Sequence, residues 1–135
     1  MTLSATTLQP GDSFEAEVAT DLGRAQIAMY AGASGDFNAL HVDEAFARES
    51  GMPSVFAHGM LTMGVTAKVL TDAVGDGRLL RYGARFVKQV WPGDTLTAVA
   101  TVTDVRDGEA ELEVVTRNQE GEVVLTATAT ARIDP

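Results

Sequence analysis

Apolar and polar residues alternate near both ends of the chain, while the middle follows a helical spacing. In "PGDSFEAEVAT", Phe14, Ala16 and Val18 alternate with Glu15, Glu17 and Ala19, the period of a half-buried strand. From Asp21, "DLGRAQIAMYAG" carries Leu22, Ala25, Ile27, Ala28 and Tyr30 near helical spacing, with Asp21 expected as N-cap and Gly32 as the stop. "SGDFNAL" is rich in turn formers, and "VDEAFARES" reads as one or two helical turns begun by Asp43 and ended by Gly51. In "HGMLTMGVTAKVLTDAVGDG" the apolar residues leave only a thin polar seam of Thr62, Thr66, Lys68 and Asp72. A helix apolar around most of its circumference is expected to be buried.

After the "GDG" break the pattern returns to period two in "LLRYGARFVKQV", "DTLTAVATVTDV", "AELEVVTRN" and "EVVLTATATARI". The last alternates most cleanly, with Leu125, Ala127, Ala129 and Ala131 set against Thr126, Thr128 and Thr130. "RDGEA" and "QEGEV" are short turn connections, so the final three strands are expected to form an antiparallel meander. The order of strand, helical region, long helix and four strands predicts an α+β domain with one mainly antiparallel sheet wrapped around the long helix. "QPGDSFE" and "WPGDTLT" read as one turn chemistry used twice, not as a duplicated domain.

Length and composition narrow the function. The 135 residues fit a single domain, 1–135, with a real core. Ten Lys and Arg against 19 Asp and Glu give a net charge of -9, which argues against nucleic acid or an anionic membrane as the main partner. The chain has no cysteine, which excludes disulfides, thiolate nucleophiles and cysteine-ligated zinc. "MTLSATTLQPGD" lacks a basic n-region and an apolar h-region, and no apolar run approaches the roughly 18 residues that span a bilayer. A soluble, cytoplasmic protein is the expectation.

Candidate chemistry gathers in "YAGASGDFNALH", which holds one of the two histidines. Asp36 and His41 lie five positions apart in a loop-like stretch. They suit a general acid-base pair, or else Asp36 caps the next turn and His41 supports a core edge. Asn38 between them offers both donor and acceptor to a water. "FAHGML" opens the long helix at a glycine, where first-turn N–H groups and the positive end of the helix dipole suit a developing oxyanion. His58, just before it, reads first as a structural residue hydrogen-bonding the helix entrance. His41 and His58 with Asp36 or Asp43 would make a two-histidine, one-carboxylate metal set, but no i, i+4 helical spacing supports it. Ser34 lies in "GASGD", not a G-x-S-x-G elbow, and no phosphate-loop or dinucleotide glycine pattern occurs. In an otherwise acidic chain, "RLLRYGARFVK" carries Arg78, Arg81, Arg85 and Lys88 without an acid. Arg81 and Arg85 share one strand face, which is either a solvated surface or a landing site for phosphates or an acidic carrier protein.

"YAGASGDFNALH", "AHGMLTMG" and "RFVKQVWPGDTL" together resemble the MaoC-like (R)-specific enoyl-CoA hydratase and 3-hydroxyacyl-thioester dehydratase family, a single hot-dog domain. Within it the chain is similar to the catalytic subunit of the actinobacterial fatty-acid-elongation dehydratase. The resemblance implies hydration of a trans-2-enoyl thioester to the (R)-3-hydroxyacyl thioester, or the reverse, without metal or redox cofactor. It implies Asp36 and His41 as catalytic dyad, Asn38 as supporting amide, and the Gly59 backbone N–H as donor to the thioester carbonyl. It also implies an acyl-CoA or acyl-carrier-protein substrate and a homodimer, or a heterodimer with a related subunit. Ala39 stands where the family usually has proline, which bears on loop rigidity. Two rivals share the fold. A thioesterase would direct water at the carbonyl carbon, and a non-catalytic channel-forming subunit would have no need of Asp36, Asn38 and His41.

Overall fold

The computed structural model describes residues 8–134; residues 1–7, part of the stretch read for a leader, and residue 135 lie outside it. The elements run β1 (Ser13–Ala19), α1 (Arg24–Ser34), α2 (Ala39–Val42), α3 (Glu44–Glu49), α4 (Gly59–Val74), β2 (Leu79–Phe86), β3 (Leu96–Arg106), β4 (Glu109–Arg117) and β5 (Val123–Arg132). The sheet order is β1-β3-β4-β5-β2 with every neighbour antiparallel, so the expected meander is present and β1 and β2 form the edges.

One face of the sheet is lined by small and branched apolar residues, among them Ala98, Ala100, Leu112, Val114, Ala127 and Ala129, all buried. The alanines leave room for a helix to lie close, and α4 packs there against β1, β2, β3 and β5. Burial of α4 is one-sided, which corrects the expectation of a helix covered all round. Leu61, Thr62, Thr66, Val69, Leu70 and Val74 are buried, while Met60, Gly64, Lys68 and Asp72, one ridge at four-residue spacing, are exposed. Thr62 and Thr66 of the expected polar seam therefore face inward. Thr66 tolerates this because its hydroxyl meets that of Thr116 on β4 at 2.7 Å. Tyr82 of β2 ties the helix to the sheet by donating to the Met63 carbonyl at 2.6 Å, and burial pushes its phenol up to about 12.

The ends of α1 differ from the sequence expectation. Asp21 is no cap: it turns the chain at φ 47 and donates its N–H to Thr95 Oγ1, and Gly23 is the N-cap. The helix runs through Gly32 because its buried pair, Ile27 and Ala31, continues the apolar stripe, and it stops at left-handed Gly35 (φ 77). Asp43 does cap α3, accepting from the Phe46 N–H at 3.1 Å.

The two PGD segments form matching turns. Asp12 Oδ2 accepts the Gln9 N–H and Asp94 Oδ2 the Trp91 N–H, each at 2.9 Å, with Gly11 and Gly93 at φ 98 and 95. Gly11 and Asp12 exchange backbone bonds with Val102 at 2.7 and 2.8 Å. Gly93 and Asp94 do the same with Leu22 at 2.7 and 2.9 Å, so both ends of the β1–β3 ladder are fastened by one device.

Candidate active site

The chain leaves α1 at Gly35 and enters α2 at Ala39 through a loop that side chains hold rung by rung. Ser34 Oγ accepts the Asp36 N–H at 3.1 Å, Asp36 Oδ1 the Asn38 N–H at 3.2 Å, and Asn38 Oδ1 the Leu40 N–H at 3.0 Å. These bonds supply locally the stiffness that Ala39 lacks as a non-proline. Asp36 thus caps the following turn through one oxygen, and the other has no partner among the described residues.

His41 projects from α2, half-buried, with its Nδ1 2.7 Å from the Phe56 carbonyl. A carbonyl only accepts, so Nδ1 carries the hydrogen and Nε2 is left with its lone pair, ready to exchange a proton. His58 is buried and does not bond the helix entrance, which corrects the simpler reading of it. Its Nε2–H reaches the Asp36 carbonyl at 3.0 Å, and its ring stacks on His41 with centroids 3.9 Å apart. One side-chain atom each from Asp36, His41 and His58 lies within 4.8 Å of the others, so the loop does gather the pair that the sequence separates by five positions.

This trio does not suit a metal. The two imidazole rings are stacked, their planes meeting at only 24°, so their in-plane lone pairs lie in separate, nearly parallel layers and do not converge on one ion. Asp43, the other carboxylate the sequence offered, is turned to its cap and lies outside the trio.

Gly59 is the first residue of α4. The Leu61 and Thr62 N–H groups both turn to the His58 carbonyl, at 3.1 and 3.3 Å, and the Gly59 N–H has no acceptor inside the helix. A Cβ built at Gly59 would stand 2.8 Å from Phe86 Cδ2, so the ring at the end of β2 rests directly on this backbone. Beside it opens a cleft of about 230 Å³ lined by Phe56, Gly59, Thr62, Phe86, Val87 and Val90 among others. Phe56, which fixes the His41 tautomer, and Phe86, which covers Gly59, are the site residues that sequence reasoning missed. Their signal was position alone, Phe56 within "FAHG" and Phe86 at the end of an alternating strand.

Arg81 and Arg85 share a face as expected, opposite Thr130 and Thr126 of β5. Tyr82 and Phe86 point to the helix side, so the arginines lie on the outer side of the sheet, away from the dyad. Arg78 pairs with Asp134 and Lys88 with Glu122, whereas Arg81 and Arg85 have no carboxylate partner among the described residues. A shallow outer-face depression of about 610 Å³ includes Arg85 and Glu113 and contains none of the dyad.

The MaoC like domain matches residues 5–124 of the chain. The (R)-specific enoyl-CoA hydratase of Aeromonas caviae is 31% identical over 135 residues, covering 97% of this chain and 99% of that protein. The solved (R)-hydratase from A. caviae involved in PHA biosynthesis superposes with a TM-score of 0.85 at 30% identity, over 94% of this chain and 98% of that one. A chain of the Mycobacterium tuberculosis ChsH1-ChsH2 complex gives 0.83 at 26% identity, over 94% and 99%. Against three longer curated relatives the chain spans only 9%, 23% and 4% of their length. With a family match over most of its length and the five-stranded sheet folded on one helix, the chain belongs to the MaoC-like domain family and has its hot-dog fold.

Proposed function

We propose that this chain, as a single domain, hydrates trans-2-enoyl thioesters to (R)-3-hydroxyacyl thioesters, or runs the reverse dehydration, in fatty-acid or polyketide-type metabolism. The observation that carries the reading is the gathering of Asp36, His41 and His58 within 4.8 Å, directly beside the helix start that offers the Gly59 N–H. Water at the dyad adds its hydroxyl to the β-carbon, and a proton returns to the α-carbon through Asp36 and His41. Charge meanwhile builds on the thioester oxygen, where the Gly59 N–H and the α4 dipole stabilise it as it forms. Asn38 supports the dyad by holding the loop. Addition of water changes no oxidation balance, so the reaction needs no redox cofactor.

The test is to mix crotonyl-CoA, and separately a longer enoyl-CoA, with the pure protein and follow the ultraviolet absorbance of the conjugated enone. Loss of absorbance without thiol release is the expected result. Thiol release would make the protein a thioesterase, and activity appearing only after a related subunit is added would make it half of a heterodimer.

The substrate's anionic carrier, CoA or a carrier protein, is assigned to Arg81 and Arg85, the two cations of "RLLRYGARFVK" without an ion-pair partner among the described residues. Replacing both by glutamine is expected to raise KM and flatten the salt dependence of kcat/KM while sparing kcat, because remote charges act on encounter and binding. Unchanged KM and salt response would return this face to a solvated surface.

A second copy of the chain is the expected partner. β2 is bonded on one side only, to β5, and Leu80, Phe86 and Val87 along and just beyond it are about half exposed. Light scattering at micromolar concentration should return a dimer mass, and a monomer mass would refute it. No described helix is long and apolar enough to cross a membrane. The cysteine-free composition is in keeping with the cytoplasm, where we place the protein.

A further inference from the structure

His58 is 1% exposed and occupies the N-cap of α4, yet its side chain caps nothing. Its ring lies instead among the groups of the site. Nε2–H donates to the Asp36 carbonyl across 22 positions of chain, one face stacks on His41, and Tyr30 meets the ring edge-on at 4.8 Å. Its Nδ1 is buried with no partner among the described residues. Packing alone does not account for a histidine here, because an apolar side chain of similar size would fill the niche without stranding a ring nitrogen.

The loop that carries Asp36 is held by bonds that each reach two residues along the chain. Such bonds are local and exposed, and the far end of the loop is tied separately, by the Phe56 N–H to the Leu40 carbonyl at 3.3 Å and by His41 to the Phe56 carbonyl. The His58 bond is different in kind, since it ties the Asp36 peptide to the start of the helix that presents Gly59.

We propose that His58 is a positioning residue: through its Nε2–H it fixes the Asp36 carboxylate relative to the His41 ring and to the amide that follows His58 in the chain. The inference rests on the hydratase reading above. It assigns the hydrogen bond, not the ring stacking, as the part that matters.

The test compares His58→Met, which fills the space without a donor, with His58→Gln, whose Nε2–H reaches about as far as the histidine's. His58→Met is expected to lower kcat about 10²-fold, the scale of a misplacement of about 1 Å, with KM within about threefold. His58→Gln should recover most of that loss. His58→Asn, polar but a bond too short, takes the place of the methionine variant if that one does not fold. Hydrogen exchange at the Asn38 amide, which donates to Asp36 Oδ1, should quicken in the methionine or asparagine variant and not in the glutamine one. Wild-type kcat in the folded methionine or asparagine variant, or an equal loss in it and in the folded glutamine variant, overturns the proposal. Wild-type protein without hydratase turnover would instead sink the functional reading, and the exchange rates would still decide whether His58 holds the loop.

Discussion

Asp36→Asn and His41→Ala should each lower turnover by about 10²-fold to 10⁴-fold, the range for removing a positioned acid-base group. Asparagine at 36 keeps an oxygen for the Asn38 N–H, so the loop bond survives and only the charge is lost. The Asp36 side chain is exposed, so no cavity opens. His41→Ala removes the free Nε2 and also leaves the Phe56 carbonyl without its donor. An unpaired, partly buried acceptor costs about 1–3 kcal/mol, so this variant should melt earlier while Asp36→Asn should not. The measurement is the rate of enone loss, with circular dichroism and a melting curve for each variant. A folded variant of either residue that turns over near the wild-type rate removes that residue from the dyad.

Gly59→Pro should cost about 10² to 10³-fold in kcat relative to Gly59→Ala, as expected for deleting one donor to a developing oxyanion. The comparison tests whether the reacting oxygen approaches this amide, because proline replaces the N–H hydrogen with its ring Cδ. Both variants place a Cβ against the Phe86 ring, so both meet the same crowding at 2.8 Å, and only proline also removes the hydrogen and sets Cδ in its place. Proline fits the backbone well. It is favoured at the first helical position, and His58 before it already sits at φ -63, ψ 140, the extended conformation that a following proline demands. Equal kcat in the two variants would mean that the Gly59 amide does not touch the reacting oxygen. Adding Phe86→Ala to both should relieve the crowding and leave the difference between them unchanged.

The architecture was legible in the sequence because it rests on periodicity. The alternation of Leu125 to Ala131 with Thr126 to Thr130 specified the sheet faces, and the turn formers of "RDGEA" and "QEGEV" specified the meander. Capping was legible at Asp43, where the side chain faces an open helix end, and misleading at Asp21, whose own backbone turns into the left-handed region. The one-sided burial of α4 was hidden because threonine counts as polar in a pattern, whereas Thr66 has its partner fifty residues away in Thr116. Likewise Asp36, Asn38, His41 and Gly59 stood out by residue type and by family resemblance. The roles of Phe56 and His58 did not, because a backbone carbonyl has no sequence signature and a ring stack depends on how the loop meets the helix.

The paired PGD turns have a consequence for how the sheet comes apart. An edge strand ordinarily opens from its loose end, peeling one residue at a time, and such breathing exposes backbone that invites other chains. Here the strand that begins at Ser13 is latched at Val102 on one end and through Leu22 on the other, so neither end offers a starting point. Detachment then requires both latches to release together, which makes β1 and β3 one cooperative block. The opposite border is fastened by other means, with the Arg132 N–H on the Arg78 carbonyl at 2.8 Å and the Val87 N–H on the Val124 carbonyl at 2.9 Å, so neither edge of the sheet frays from a loose end.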